Sequence, residues 1–185
     1  MVLTDKSAVD ALTGEAEMGY PNEIVNIGSY AGGIPDIDKG LERDSVYAMV
    51  PEISFKVHKY GLEIRFELLF QQSYAAVPLE SLESVVLEIG GTIDVEERSV
   101  IGRAIVGGMF FGPLGAVVGA ASGLKDRVVK DSNMLLLKFD EKGTTHSILV
   151  TINEGRTEEV RSFFTKHYAS VFSCPRLRER DDLSH

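Results

Sequence analysis

A single cysteine, Cys174, stands among the 185 residues. One thiol excludes an intrachain disulfide and a cysteine-rich metal site, and it fits a reducing compartment. Histidine is scarce too: His58, His146, His167 and His185 show neither the pair spacing nor the acidic frame of metal ligands, so solvated strand or helix positions are expected for them. Cys174 follows His167 by seven residues without an orienting acid, which speaks against a thiol nucleophile and for a half-exposed side chain. The glycines of AGGIPD and GGMFFGPLG are not followed by GK[ST], and GxGxxG spacing is absent, so nucleotide binding is not supported. The carboxylates Glu80, Glu83 and Glu88, and Asp94, Glu96 and Glu97, read as charged outer faces. No catalytic constellation emerges, and the expectation is a non-enzymatic protein without cofactor or metal.

Positive charge is sparse in the first half. Residues 1–98 hold 18 acidic and 7 basic side chains, and residues 99–185 hold 10 acidic and 12 basic, giving −11 and +2 within a net charge of −9. Such an acidic surface repels phosphate backbones and anionic lipid, so nucleic acid is not an expected partner and membrane affinity must come from apolar burial. Tyr20, Tyr30, Tyr47, Tyr60 and Tyr74 lie in this half with few neighbouring cations, unlike an aromatic and basic nucleic-acid surface. The opening stretch MVLTDKSAVDALTGEAEMGYPN carries Asp5, Asp10, Glu15 and Glu17 where a signal peptide would be apolar, so a cytoplasmic location is expected.

What the chain does contain is period-two hydrophobicity. Residues 1–22 read as a flexible arm with one helical turn near Val9 to Leu12. EIVNIGSY is a first strand, AGGIPDIDKG a loop, and SVYAMV a further apolar stretch. In ISFKVHKYGLEIRFELLF, apolar and polar residues alternate on both sides of Lys59-Tyr60-Gly61, which predicts a hairpin with one wet face. Strands are also predicted at Tyr74 to Val77 and Ser84 to Ile89. A second hairpin, NMLLLKFD and THSILVTI, turns at Glu141-Lys142-Gly143. In RTEEVRSFFTKHYASVF, residues Val160, Phe163, Phe164, His167, Tyr168 and Val171 recur at helical spacing, and the helix is expected to reach Cys174-Pro175; residues 173–185 read as a flexible tail. The fold class is α+β and β-rich: an antiparallel sheet or barrel with a C-terminal amphipathic helix plugging its open end.

One segment breaks this texture. From Ala104 to Leu124, 21 residues carry no charge. Gly115, Gly119 and Gly123 form one row at four-residue spacing, and Ala104, Gly108, Gly112, Ala116 and Ala120 form another, so a helix would present a groove without side chains for close approach of a second helix. Val106, Met109, Phe110, Phe111, Leu114, Val117 and Val118 supply an apolar contact surface. A run of this length can span a bilayer. Gly112-Pro113, however, is a stop-then-start signal, and basic residues flank both ends, so two short helices returning as a hairpin are predicted over residues 93–128.

The strand-and-helix order resembles the PH-like fold. SYAGGIPDI, KYGLEIRF and VPLESLESVVLEI, then GRAIVGGMFFGPLGAVVGAASG and LLLKF, are similar to uncharacterised bacterial PH-like domain proteins carrying a glycine-zipper helical hairpin insertion. The resemblance covers about residues 23–172 by pattern and loose motifs, and it supplies no catalytic residues. It implies a PH-like domain over 23–172, interrupted at 93–128; with no catalytic constellation, the expected function is that of a non-enzymatic intracellular binding or scaffolding module. The hairpin has three open uses: insertion into membrane lipid at the inner face of the plasma membrane, assembly of a homo-oligomer, or cover for its own sheet as extra core, leaving a soluble domain that takes a protein partner on the sheet.

Overall fold

The computed structural model describes residues 6–17, 22–34, 37, 50–89 and 133–174. These form helix α1 (Lys6–Thr13), strands β1 (Glu23–Gly32), β2 (Glu52–His58), β3 (Gly61–Leu68), β4 (Gln71–Pro78), β5 (Leu82–Glu88), β6 (Asn133–Glu141) and β7 (Thr144–Ile152), helix α2 (Thr157–His167), and the short strand β8 (Phe172–Ser173). The protein is β-rich and of the α+β class. SVYAMV before Val50, the hairpin region 93–128 and residues 175–185 lie outside the described residues.

Both hairpins form where alternation and glycine turns place them. β2 pairs with β3 from Glu52↔Glu67 to His58↔Gly61, and β6 pairs with β7 from Asn133↔Ile152 to Glu141↔Thr144, each without a register break. The strands make one sheet in the order β4-β3-β2-β1-β7-β6-β5-β8, two antiparallel meanders joined through β1 and β7. That joint is tight. A Cβ on Gly28 of β1 would stand 1.9 Å from the Thr151 carbonyl oxygen, so only glycine admits the approach. Beside it Asn26 adopts φ 49° within a register shift of the β1–β2 ladder, and its N–H donates to Ser54 Oγ at 3.0 Å.

The inward residues of the sheet close around α2. Phe164 is fully buried and meets Phe55 edge-on, with ring centroids 5.3 Å apart, while Val160 and Phe163 are buried beside it. The helix is shorter than its periodicity predicts: it ends at His167, and the chain turns so that Phe172 and Ser173 run parallel to Val85 and Val86. Pairing with the exposed edge of β5 satisfies backbone groups that another helical turn would have left facing it. Tyr168, just past the helix, is buried and donates to the Gly61 carbonyl at 3.2 Å.

A second layer covers part of the outer face. Where the sequence reads an arm with one turn, the structure has an eight-residue helix packed on β3 and β4, with Val9 and Thr13 buried. Its exit continues as an irregular strand: the Tyr60 N–H donates to the Thr13 carbonyl, Lys59 to Glu15, and Glu17 to the Val57 carbonyl. The β2–β3 hairpin therefore does not keep the wet face expected of it. Ser54, His58 and Glu63, polar residues on that face, are all buried.

Candidate functional site

Alternation along β2 and β3 aims Lys56, His58, Glu63 and Arg65 away from the main core. The register sets Lys56 opposite Glu63 and His58 opposite Gly61, so His58 and Glu63 are diagonal neighbours on one face. Their side chains meet at 2.8 Å between Nε2 and Oε2, and each residue is 3% exposed. The other ring nitrogen, Nδ1, lies 2.7 Å from the carbonyl oxygen of Gly14, which can only accept. α1 adds two charges one turn apart. Lys6 Nζ donates to Glu63 Oε2 at 2.6 Å and to Asp10 Oδ1 at 2.9 Å, and Asp10 Oδ1 lies 3.7 Å from His58 Nδ1. Helix, exit segment, β2 and β3 are thus fastened at one polar point.

The electrostatics follow from this geometry. Partial burial works against the charge on Lys6, but its hydrogen bonds to Glu63 and Asp10 outweigh that and raise its pKa. The bond from Lys6 holds the Asp10 carboxyl below its ordinary value. Asp10, His58 and Glu63 each bring a metal-donor atom within 4.8 Å of the others. Lys6 Nζ already touches both carboxylates, so an ammonium supplies the cation that this donor set calls for, and a metal ion would have to displace it. A small cavity of about 160 Å³ opens beside the cluster between Glu17, His58, Lys59, His167 and Tyr168. Burial pushes the Tyr168 phenol far up, so it faces this space as a neutral donor.

His58 corrects the expectation of a solvated histidine without an acidic frame: it is buried, and two acids frame it. Glu88, expected on a charged outer face, is 6% exposed at the end of β5. Cys174 is half-buried as expected, and burial pushes its thiol up, away from nucleophile chemistry. Sequence reasoning missed the four-residue cluster. Its one linear signal is His58 and Glu63 sharing a face across a two-residue turn; nothing local brings Lys6 and Asp10 to them.

The second place of interest is where the apolar segment departs. β5 and β6 are direct antiparallel neighbours, with Leu82↔Phe139 near one end and Glu88↔Met134 at the other. The described residues stop at Ile89, just past β5, and resume at Asn133, the first residue of β6, whose side-chain amide donates to Thr157 Oγ1 at the start of α2. The two stems of the apolar segment are thus held side by side. The proposed packing row Ala104, Gly108, Gly112, Gly115, Gly119 and Gly123 lies outside the described residues, as does the contact surface Val106, Met109, Phe110, Phe111, Leu114, Val117 and Val118. Among the described residues no helix is long and apolar enough to cross a membrane. No family model matches this chain, and no curated protein matches it.

Proposed function

We propose that this protein is a non-enzymatic PH-like binding or scaffolding module, working inside the cell, whose apolar segment docks as a returning helical hairpin into a membrane. The PH-like assignment rests on the order of the two meanders and on the C-terminal helix that fills the space between their inward residues. One observation carries the hairpin. Glu88 and Met134 are paired neighbours, so a segment that leaves at one and returns at the other crosses a bilayer an even number of times or not at all. A single crossing would put the two halves of the β5–β6 ladder on opposite sides of the membrane. Two short helices also suit the hydrophobic length on each side of Gly112-Pro113: the twelve residues from Val100 to Phe111 extend about 18 Å, short of a hydrocarbon core of about 30 Å. The extra-core use concerns the opposite face of β5, β6 and β7: α2 fills the inward face with Val160, Phe163 and Phe164, while Val86, Met134, Leu136 and Leu149 on the other face are buried as well, which favours a covering layer there.

Self-assembly through the same segment is a second reading, favoured by the two small-residue rows at four-residue spacing. Replacing residues 100–124 by a Gly/Ser linker separates the readings. For a membrane hairpin, the intact protein floats with phosphatidylcholine vesicles and resists alkaline extraction, and the linker variant does neither while keeping its cooperative melt. A protein that never floats refutes membrane docking. Loss of an oligomer in Gly115→Leu or Gly119→Leu supports assembly instead, and loss of the cooperative melt on linker replacement supports the extra-core use.

A further inference from the structure

The described residues expose seven large hydrophobic side chains: Leu12, Val25, Val50, Tyr60, Leu69, Phe70 and Leu79. Five of them sit at the two ends of one strand, β4, which among the described residues is an edge of the sheet. At its start, the two-residue turn Leu69-Phe70 leaves Leu69 63% and Phe70 101% exposed. That turn is strained as well as greasy. Leu69 has φ 56°, a region that favours glycine or asparagine, and a hairpin turn of this length ordinarily carries those residues. At the other end of β4, Leu12, Lys59, Tyr60, Pro78, Leu79 and Glu80 line an open groove of about 440 Å³, apolar at its centre with the Lys59 ammonium over the Tyr60 ring.

The edge between knob and groove lacks the usual protection. Edge strands are normally kept from pairing by charges, bulges or shortness. β4, with the sequence QQSYAAVP, has eight residues, no charge and an unbroken register against β3. Proline enters only at its last position. The Leu79 N–H donates to the Tyr60 carbonyl, which fixes the alternation of the β3–β4 ladder: Val77, Ala75 and Ser73 bond to β3, while Gln72, Tyr74 and Ala76 turn their N–H and C=O groups outward. Among the described residues no strand pairs with those groups.

A second copy of the same chain satisfies all three features at once. Laid antiparallel on β4, with Tyr74 opposite Tyr74, it places Gln72 opposite Ala76, so that each outward N–H meets an outward C=O of the other copy. The same register sets Phe70 opposite Pro78, at the lip of the partner groove, and Leu69 opposite Leu79. Because the knob and the groove lie on one strand equidistant from Tyr74, a twofold axis through that residue fills both grooves together, which is the self-complementarity an isologous interface requires. No like charges are brought opposite each other along β4. We propose that the protein forms a twofold dimer by antiparallel pairing of its β4 edges, with Phe70 of each copy seated in the Leu12, Tyr60 and Leu79 groove of the other. This interface uses no residue of the apolar segment.

The test is the solution mass of the full chain by sizing with light scattering, together with a crosslink across the axis. The intact chain is expected at close to twice 20.3 kDa. Phe70→Asp removes the knob from an exposed turn, and Gln72→Pro removes an outward donor that the β3 ladder does not use; both are expected at the monomer mass with an unchanged melt. In a Tyr74→Cys, Cys174→Ser variant, opposed Cα atoms about 5.5 Å apart fall within disulfide range, so mild oxidation is expected to give a covalent dimer. The linker replacement of residues 100–124 is expected to leave the dimer intact. A monomeric intact chain at micromolar concentration overturns the proposal. So does a dimer that survives both Phe70→Asp and Gln72→Pro, fails to crosslink at position 74, or dissociates when the apolar segment alone is replaced.

Discussion

Glu63 is expected to be the keystone of the polar cluster, and its removal gives a magnitude that can be worked from the contacts. Glu63→Ala deletes the acceptor for both His58 and Lys6. The two losses differ. Lys6 is 41% exposed at its side chain and returns to water, so its share is about 0.5 kcal/mol. The His58 side chain is fully buried, and its Nε2 is left without a partner at a cost of about 1–3 kcal/mol. The total is about 2 kcal/mol. With a urea dependence near 2 kcal/mol/M, the denaturation midpoint should fall by about 1 M. Lys6→Ala leaves the His58 to Glu63 bond in place and should cost only about 0.5 kcal/mol, moving the midpoint by about 0.25 M. Both variants should loosen α1 selectively, because eight residues cannot hold a helix without docking. Faster amide exchange at residues 6–17, with β6 and β7 unchanged, is the local readout. If Lys6→Ala proves as damaging as Glu63→Ala, or if neither moves the midpoint, the cluster does not fasten the helix and the reasoning fails.

Phe164→Ala should cost about 3–5 kcal/mol, since a fully buried ring packed on Phe55 leaves a cavity under the sheet; a melt lowered by less than about 5 °C would mean that α2 is not the inner plug. The pH dependence has two limbs. Asp10 is held below 3.8 by Lys6, so its contribution is present above that value and is lost as pH falls through the lowered one. Lys6 is raised above 10.5 and Tyr168 above 10.0, so their contributions are complete below those values and are lost as pH rises through the raised ones. Melting temperatures followed across pH should show the acid limb flatten in Lys6→Ala; an unchanged limb would separate Asp10 from Lys6.

The sequence determined the secondary structure wherever a local rule was sufficient. Alternation on both sides of Tyr60-Gly61 and of Lys142-Gly143 specifies two hairpins, because a strand with one inward face must repeat every second residue. Val160, Phe163 and Phe164 specify the inward face of α2 for the corresponding reason at helical period. The same text overran the end of α2, since Tyr168 and Val171 continue the helical spacing while Phe172 and Ser173 are taken by the edge of β5. Only tertiary structure decided which wet-face residues would become buried. His58 and Glu63 read as solvated because nothing within β2 or β3 announces that α1, about fifty residues earlier, will cover them. Likewise the strand predicted at Tyr74 to Val77 says nothing of an edge, and the place of β4 at one end of the described sheet exists only once β1 has paired with β7 and left β4 last in the order. The apolar, glycine-paced run was conspicuous from the start, but that its stems are hydrogen-bonded neighbours follows from the β5–β6 ladder alone. Periodicity is local and survives in one dimension; burial, edges and the adjacency of distant stems are properties of contacts, which one dimension does not carry.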